Sequence, residues 1–172
     1  MNQIEILVLN GSPGSGKTAT GNAVAELLRE ANIAHVVIDF DELGRIYPET
    51  NKSAQWKNLT SVCKNFSEVS GLTKFILPIA IDSQEILDQL KNCAPYAKWI
   101  LCELIADRET LLKRVTEREP NEYWREKLRT LVNNYADRPD NTKFGELKIK
   151  TDVKSPEEVA EEILEKINWI KA

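Results

Sequence analysis

The chain has 172 residues, 42% hydrophobic and 29% charged, and carries a net charge of −4 from 23 basic and 27 acidic side chains. That length suits a single domain over residues 1–172, and no stretch is apolar for long enough to span a bilayer. Its three cysteines include no C-x-x-C pair, which argues against a disulfide framework or zinc knuckle, and an acidic chain without a basic stripe is a poor match for nucleic acid.

With no leader pattern in "MNQIEILVLN", a soluble, cytoplasmic protein is expected, with no membrane partner and a small molecule as ligand. Monomer and homodimer remain equally open.

In chain order, the apolar runs "IEILVLN", "HVVIDF", "FILPIAI" and "WILCELI", followed by a weaker "ELKIK", read as strands buried on both faces. Helical periodicity fills the intervals. Ala23, Val24, Leu27, Leu28 and Ala31 form one stripe, and Ile86, Leu87, Leu90 and Ala94 a second. Trp124, Leu128, Leu131, Val132 and Tyr135 form a third, and Val159, Ala160, Ile163, Leu164 and Ile167 a fourth. Ser155-Pro156-Glu157-Glu158 has the form of a capping box opening the last helix. The alternation predicts a doubly wound α/β sheet. Residues of about 44–71 break the rhythm and read as a helical insertion over the ligand end of the sheet.

The segment "GSPGSGKT", Gly11, Ser12, Pro13, Gly14, Ser15, Gly16, Lys17 and Thr18, fits G-x-x-x-x-G-K-[ST] between a predicted strand and a predicted helix. Glycines allow the backbone N–H groups to curl inward, the helix directs its positive end there, and Lys17 adds a point charge. Such a loop suits a polyphosphate, and the Thr18 hydroxyl suits magnesium.

After the second strand, Asp39 and Asp41 are one residue apart, so in an extended chain both carboxylates leave the same face. Asp39, nearer the sheet, suits the metal. Asp41, farther out, suits the base that takes a hydroxyl proton. Either acid can also contact the acceptor, as can Arg45 one turn on and Trp56, whose ring face suits a flat molecule. Arg114 and Arg118 share a helical face over a short lid of about 114–125, where Arg118 suits the transferring phosphate. Glu103 interrupts an apolar strand and is a candidate to approach the lid, Arg138 is a further cation at a turn, and His35 reads as structural.

Two rival readings fit less well. "DELG" and "NKSA" resemble guanine-nucleotide switch motifs but lie only a few residues apart, and Ala54 stands where a carboxylate would read guanine. For a motor ATPase, "FILPIAID" is the single candidate metal strand, and Pro78 interrupts it.

On "GSPGSGKT", "DFDEL", "RVTER" and "IKTDVKSPEEVAEEIL", the chain resembles the P-loop small-molecule and nucleotide kinases. That group holds the adenylylsulfate, shikimate, gluconate and nucleoside monophosphate kinases and chloramphenicol phosphotransferase. The resemblance implies a three-layer αβα fold with a five-stranded parallel sheet in order 2-3-1-4-5, and ATP with Mg2+ as donor. It also implies Arg114 near the adenine, Arg118 near the phosphates, and Thr151, Asp152 and Val153 lining the adenine pocket. The expected activity is transfer of the γ-phosphate to a hydroxyl of a small molecule. A nucleotide or adenylylsulfate kinase is the alternative within the class, and a nucleotide-binding regulatory NTPase the alternative outside it.

Overall fold

Five strands, β1 (Glu5–Asn10), β2 (His35–Val37), β3 (Lys74–Pro78), β4 (Lys98–Ile105) and β5 (Leu147–Lys150), form one sheet in the order β2-β3-β1-β4-β5. Every pairing is parallel: Leu7 of β1 faces Ile76 on one side and Ile100 on the other, and Leu104 faces Ile149. The computed structural model describes residues 3–45, 47, 52–138 and 144–170.

Strand side chains alternate between faces, and β1 is apolar on both. Ile6 and Val8 join Phe75, Leu77 and Leu101 on the face covered by α2 (Lys52–Ser67) and α3 (Gln84–Cys93). Leu7 and Leu9 join Ile76, Cys102 and Leu104 on the opposite face, under α1 (Lys17–Glu30) and α6 (Pro156–Lys166). The predicted sheet order and layers are those observed, with the second strand shorter than "HVVIDF". The predicted capping box is formed too, Ser155 Oγ accepting from the Glu158 N–H while the Glu158 carboxylate accepts from the Ser155 N–H.

Within the stretch of about 44–71, α2 buries Leu59 and Cys63 in the main core. Gln55 donates to the Phe40 carbonyl at 2.6 Å and Asn58 to the Leu43 carbonyl at 2.9 Å, fixing α2 to the turn after β2.

Helices α4 (Arg108–Arg118) and α5 (Glu122–Ala136) pack on each other through Leu111, Val115 and Val132, with Leu112 and Leu128 alongside. The apolar stripe predicted for α5 is only partly inward. Val132 is buried, but Trp124 and Leu131 at the stripe's other edge are exposed, because α4 covers the side of α5 centred on Val132. The stretch 114–125 comprises the end of α4, a three-residue link and the start of α5. Arg125 staples that link by donating to the carbonyls of Glu119 at 2.9 Å and Pro120 at 3.2 Å.

Candidate active site

The carboxyl end of β1 runs into the segment Gly11–Gly16, and the end of β4 lies against it. Gly11, Gly14 and Gly16 hold φ of 147°, 82° and 96°, values that favour glycine. Space matters as well: a Cβ on Gly11 would lie 2.6 Å from the Leu104 carbonyl oxygen, and one on Gly14 2.9 Å from that of Leu111. The glycines therefore curl the loop and seat it against β4 and α4.

Helix α1 begins in this loop with no side-chain cap, its Thr20 N–H bonding back to the Gly16 carbonyl. The N–H groups of its first turn have no partner within the helix and favour an anion. The Ser12 and Ser15 hydroxyls are buried and have no partner among the described residues. Uncapped amides, orphaned hydroxyls and a cradle that a Cβ would fill suit a phosphate chain.

Lys17 Nζ donates to the carbonyls of Gly11 at 2.8 Å and Ser12 at 3.1 Å. Burial lowers its pKa from 10.5 to about 8; Arg118 pushes the same way, while Asp41 and Asp39 oppose it. The structure thus gathers the charges of Lys17, Asp39, Asp41 and Arg118 around the loop. Thr18, next along α1, is exposed.

The acidic pair departs from the extended geometry expected for it. Strand β2 ends at Val37, and Asp41 has φ −65° and ψ −36° at the entry to a single 3-10 turn, Glu42–Gly44. The cause is local: Asp39 Oδ1 accepts the Asp41 N–H at 3.0 Å, closing a side-chain-to-backbone turn. The Asp41 side chain makes no capping bond. Burial first, then the charge of Asp39, raises the Asp41 pKa against the pull of Lys17.

Other candidates disperse. Arg45 pairs with Glu42 at 2.9 Å and points to solvent. Trp56 lies against Phe40, ring centres 4.6 Å apart, as part of the packing beneath α2. His35 opens β2 and bonds through Nδ1 to the Ile33 carbonyl oxygen at 2.8 Å.

On the far side of the loop, Arg114 donates to the carbonyls of Thr151 at 2.6 Å, Asp152 at 3.3 Å and Gly14 at 3.3 Å. These residues stand by a cavity of about 250 Å³ lined by Gly14, Gly16, Arg114, Thr151, Lys154 and Pro156 among others. Of the three residues expected around the adenine, Thr151 is in that lining, whereas Asp152 and Val153 are not, and Val153 is 95% exposed.

One structural residue escaped the sequence reading. Asn10, fully buried at the end of β1, accepts the Ile81 N–H at 2.8 Å and donates to the Phe144 carbonyl at 2.9 Å. A polar residue closing an apolar strand just before the glycine loop was the available signal.

A cation held here would draw on the Thr18 hydroxyl and the Asp39 carboxylate, hard oxygen donors that suit magnesium completed by water and phosphate. Among the described residues no three His, Cys, Asp or Glu side chains gather as a metal cage.

The five-stranded parallel sheet in this order is the fold of the P-loop kinases, and the likeness of fold expected from the sequence is present in three dimensions. The family model described as Zeta toxin matches residues 3–84, which span the glycine loop, the acidic turn, α2 and β3. Among solved structures, the chain is similar to the APS kinase CysC of Mycobacterium tuberculosis in complex with AMPPNP and APS, at 17% identity, TM-score 0.69, over 98% of this chain and 99% of that one. It is similar to a gluconokinase from Sinorhizobium meliloti 1021, at 17% identity, TM-score 0.65, over 98% and 94%. It is also similar to the shikimate kinase of Acinetobacter baumannii in complex with shikimate, at 23% identity, TM-score 0.59, over 98% and 96%. At such identities the likeness is one of fold. No curated protein matches the chain.

Proposed function

We propose that this chain is an ATP-dependent kinase that transfers the γ-phosphate to a hydroxyl of a small molecule. The observation that carries the reading is Lys17, whose ammonium lies in the glycine loop under the combined influence of Asp41, Asp39 and Arg118. Cation, phosphate cradle and acid are the parts that in-line phosphoryl transfer requires, since its catalysis is mostly positioning and charge stabilisation. The solved neighbours, a gluconokinase and an APS kinase among them, support the reaction class by fold.

In this reading the N–H groups of the loop and of the first turn of α1 bind the phosphate chain, and Lys17 exchanges its loop carbonyls for phosphate oxygens. The cavity beside Arg114 and Thr151 receives the adenine. Magnesium, when bound through Thr18 and Asp39, neutralises charge on the outer phosphates. Asp41 accepts the proton of the acceptor hydroxyl as the new O–P bond forms and the bond from the γ-phosphorus to the bridging oxygen of ADP breaks. Its raised pKa suits that task, because it leaves a stronger base than an ordinary aspartate. Arg118 stabilises the charge that spreads over the phosphoryl oxygens. The turn after β2, with Asp39 and Asp41, forms the acceptor side, and residues of about 114–125 the lid.

The test is an ADP-release screen with magnesium and ATP against sugars, sugar acids, nucleotides, sulfated nucleotides and antibiotics. Acceptor-stimulated ADP release that disappears in Asp41→Asn is the expected result. Tight nucleotide binding with no stimulation by any acceptor class would favour a regulatory NTPase instead.

A further inference from the structure

The chain leaves the sheet after β2 with a last bond from the Ile38 N–H to the Ile76 carbonyl, at 2.9 Å. Residues 39–45 follow, carrying both acids, and their hydrogen bonds close on one another. The Leu43 N–H donates to the Phe40 carbonyl, the Gly44 N–H to that of Asp41, and the Asp41 N–H to the Asp39 carboxylate. Among the described residues, the hydrogen bonds that leave this segment run to α2 alone. Gln55 Nε2 donates to the Phe40 carbonyl at 2.6 Å, and Asn58 Nδ2 to the Leu43 carbonyl at 2.9 Å. Three residues apart, the two amides share one face of the helix, and their targets stand on either side of Asp41.

The Phe40 carbonyl and the Asp41 N–H belong to one planar peptide unit. Gln55 holds that plane by its oxygen and the Asp39 carboxylate holds it by its hydrogen. The Asp41 Cα is part of the same plane, so its side chain starts from a point fixed at both ends. Gly44 admits the Gln55 amide: a Cβ there would lie 2.5 Å from Gln55 Cδ and 2.8 Å from its Nε2 and Oε1. Phe40 is itself buried, its ring against that of Trp56 on the same helix, so α2 grips the residue before the acid by side chain and by backbone.

We propose that Gln55 is a positioning residue for phosphoryl transfer: by holding the Phe40–Asp41 peptide it sets where the Asp41 carboxylate meets the acceptor hydroxyl, with Gly44 making room for it and Asn58 steadying the turn beyond. The inference rests on the kinase reading, in which Asp41 is the base. A base must come within hydrogen-bond reach of the proton it takes, and a misplacement of about 1 Å can cost about 10²-fold in rate. Helix α2 thus serves the reaction through its two amides, while its apolar face serves the core.

ADP release by the full chain, with magnesium, ATP and the screened acceptor that stimulates it most, tests this. Gln55→Met fills the space without a donor. Gly44→Ala displaces only the far end of a flexible side chain and stands outside the left-handed region, so its urea midpoint should stay that of the wild type. Each should lower kcat about tenfold or more with the KM for ATP within about twofold, and the two together should cost no more than either alone, because both break the same bond. In Asp41→Asn, with no base left to place, neither should change the residual rate. An equal loss in the Asp41→Asn background, a loss confined to the KM for ATP, or a wild-type kcat in Gly44→Ala would each overturn the proposal. Should Gln55→Met fail to fold, Gly44→Ala alone decides. Stimulated ADP release that Gly44→Ala leaves intact overturns this inference only, whereas wild-type release that no acceptor stimulates overturns the kinase reading and this inference with it.

Discussion

The backbone N–H of Asp41 donates to the carboxylate of Asp39 at 3.0 Å, and this bond divides the labour of the two acids. Asp39 commits one oxygen to shaping the turn, while the Asp41 side chain makes no capping bond and faces the field of Lys17. Asp41→Asn should lower kcat by about 10²–10⁴-fold with ATP affinity within a few-fold of wild type, by single-turnover kinetics and calorimetry. Asp39→Asn should cost less in kcat and weaken magnesium dependence. It should also shift the acidic limb of the kcat/KM profile to lower pH, because removing a like charge lets Asp41 ionise more readily. A limb that stays in place or moves upward would remove Asp39 as a perturbing neighbour.

Lys17 gives the opposite sign. Its folded pKa, lowered to about 8 from 10.5, means the unfolded chain binds more protons between those values, so stability rises with pH across that window. Below about 8 the buried ammonium is a standing cost. Lys17→Met should therefore abolish ATP binding yet raise stability near neutral pH by about 1–2 kcal/mol, the gain shrinking toward pH 10. Urea unfolding of both proteins at pH 7 and pH 9.5 measures it. In the wild type, kcat/KM for ATP should fall as pH passes about 8, as the free loop loses its ammonium.

Much of this was legible in the sequence because it rests on short-range rules. The glycine loop is defined by eight consecutive residues, the strands by runs apolar on both faces, and the last helix by its capping box. What sequence could not supply were relations set by distant chain segments. The outer position of Trp124 and Leu131 depends on how α4 lies on α5, which no stripe within α5 encodes. The acidic pair was misread for a different reason: alternation assumes the strand continues, and a side-chain bond from Asp39 ended it sooner. Glu103 stood out in the sequence as a break in an apolar run, but its partner Tyr135 lies 32 residues away.

Asn10 tests the scaffold without touching the charges. Its amide is fully buried, and its two bonds tie the end of β1 to Ile81 after β3 and to Phe144 before β5. Asn10→Leu keeps the volume but leaves an N–H and a carbonyl inside without partners. A loss of about 2–4 kcal/mol in urea unfolding is expected, and Asn10→Asp, which sets an uncompensated carboxylate against the Phe144 carbonyl, should lose at least as much. If both variants unfold like wild type, the two bonds carry no weight in holding the strand ends.

Arg114 joins the two halves of the nucleotide side. One guanidinium satisfies carbonyls of Gly14, Thr151 and Asp152, so the glycine loop, the β5–α6 connection and α4 share a single donor. Lysine carries the charge but lacks the planar fork that reaches several oxygens at once. Arg114→Ala should cost about 1–3 kcal/mol in stability and raise the KM for ATP about tenfold with kcat little changed, since the group arranges the donor site and stands apart from Asp41. Arg114→Lys should recover part of the stability and little of the KM. Urea unfolding and initial rates at varied ATP distinguish these outcomes, and a fall in kcat equal to that in kcat/KM would place Arg114 with the transition state instead.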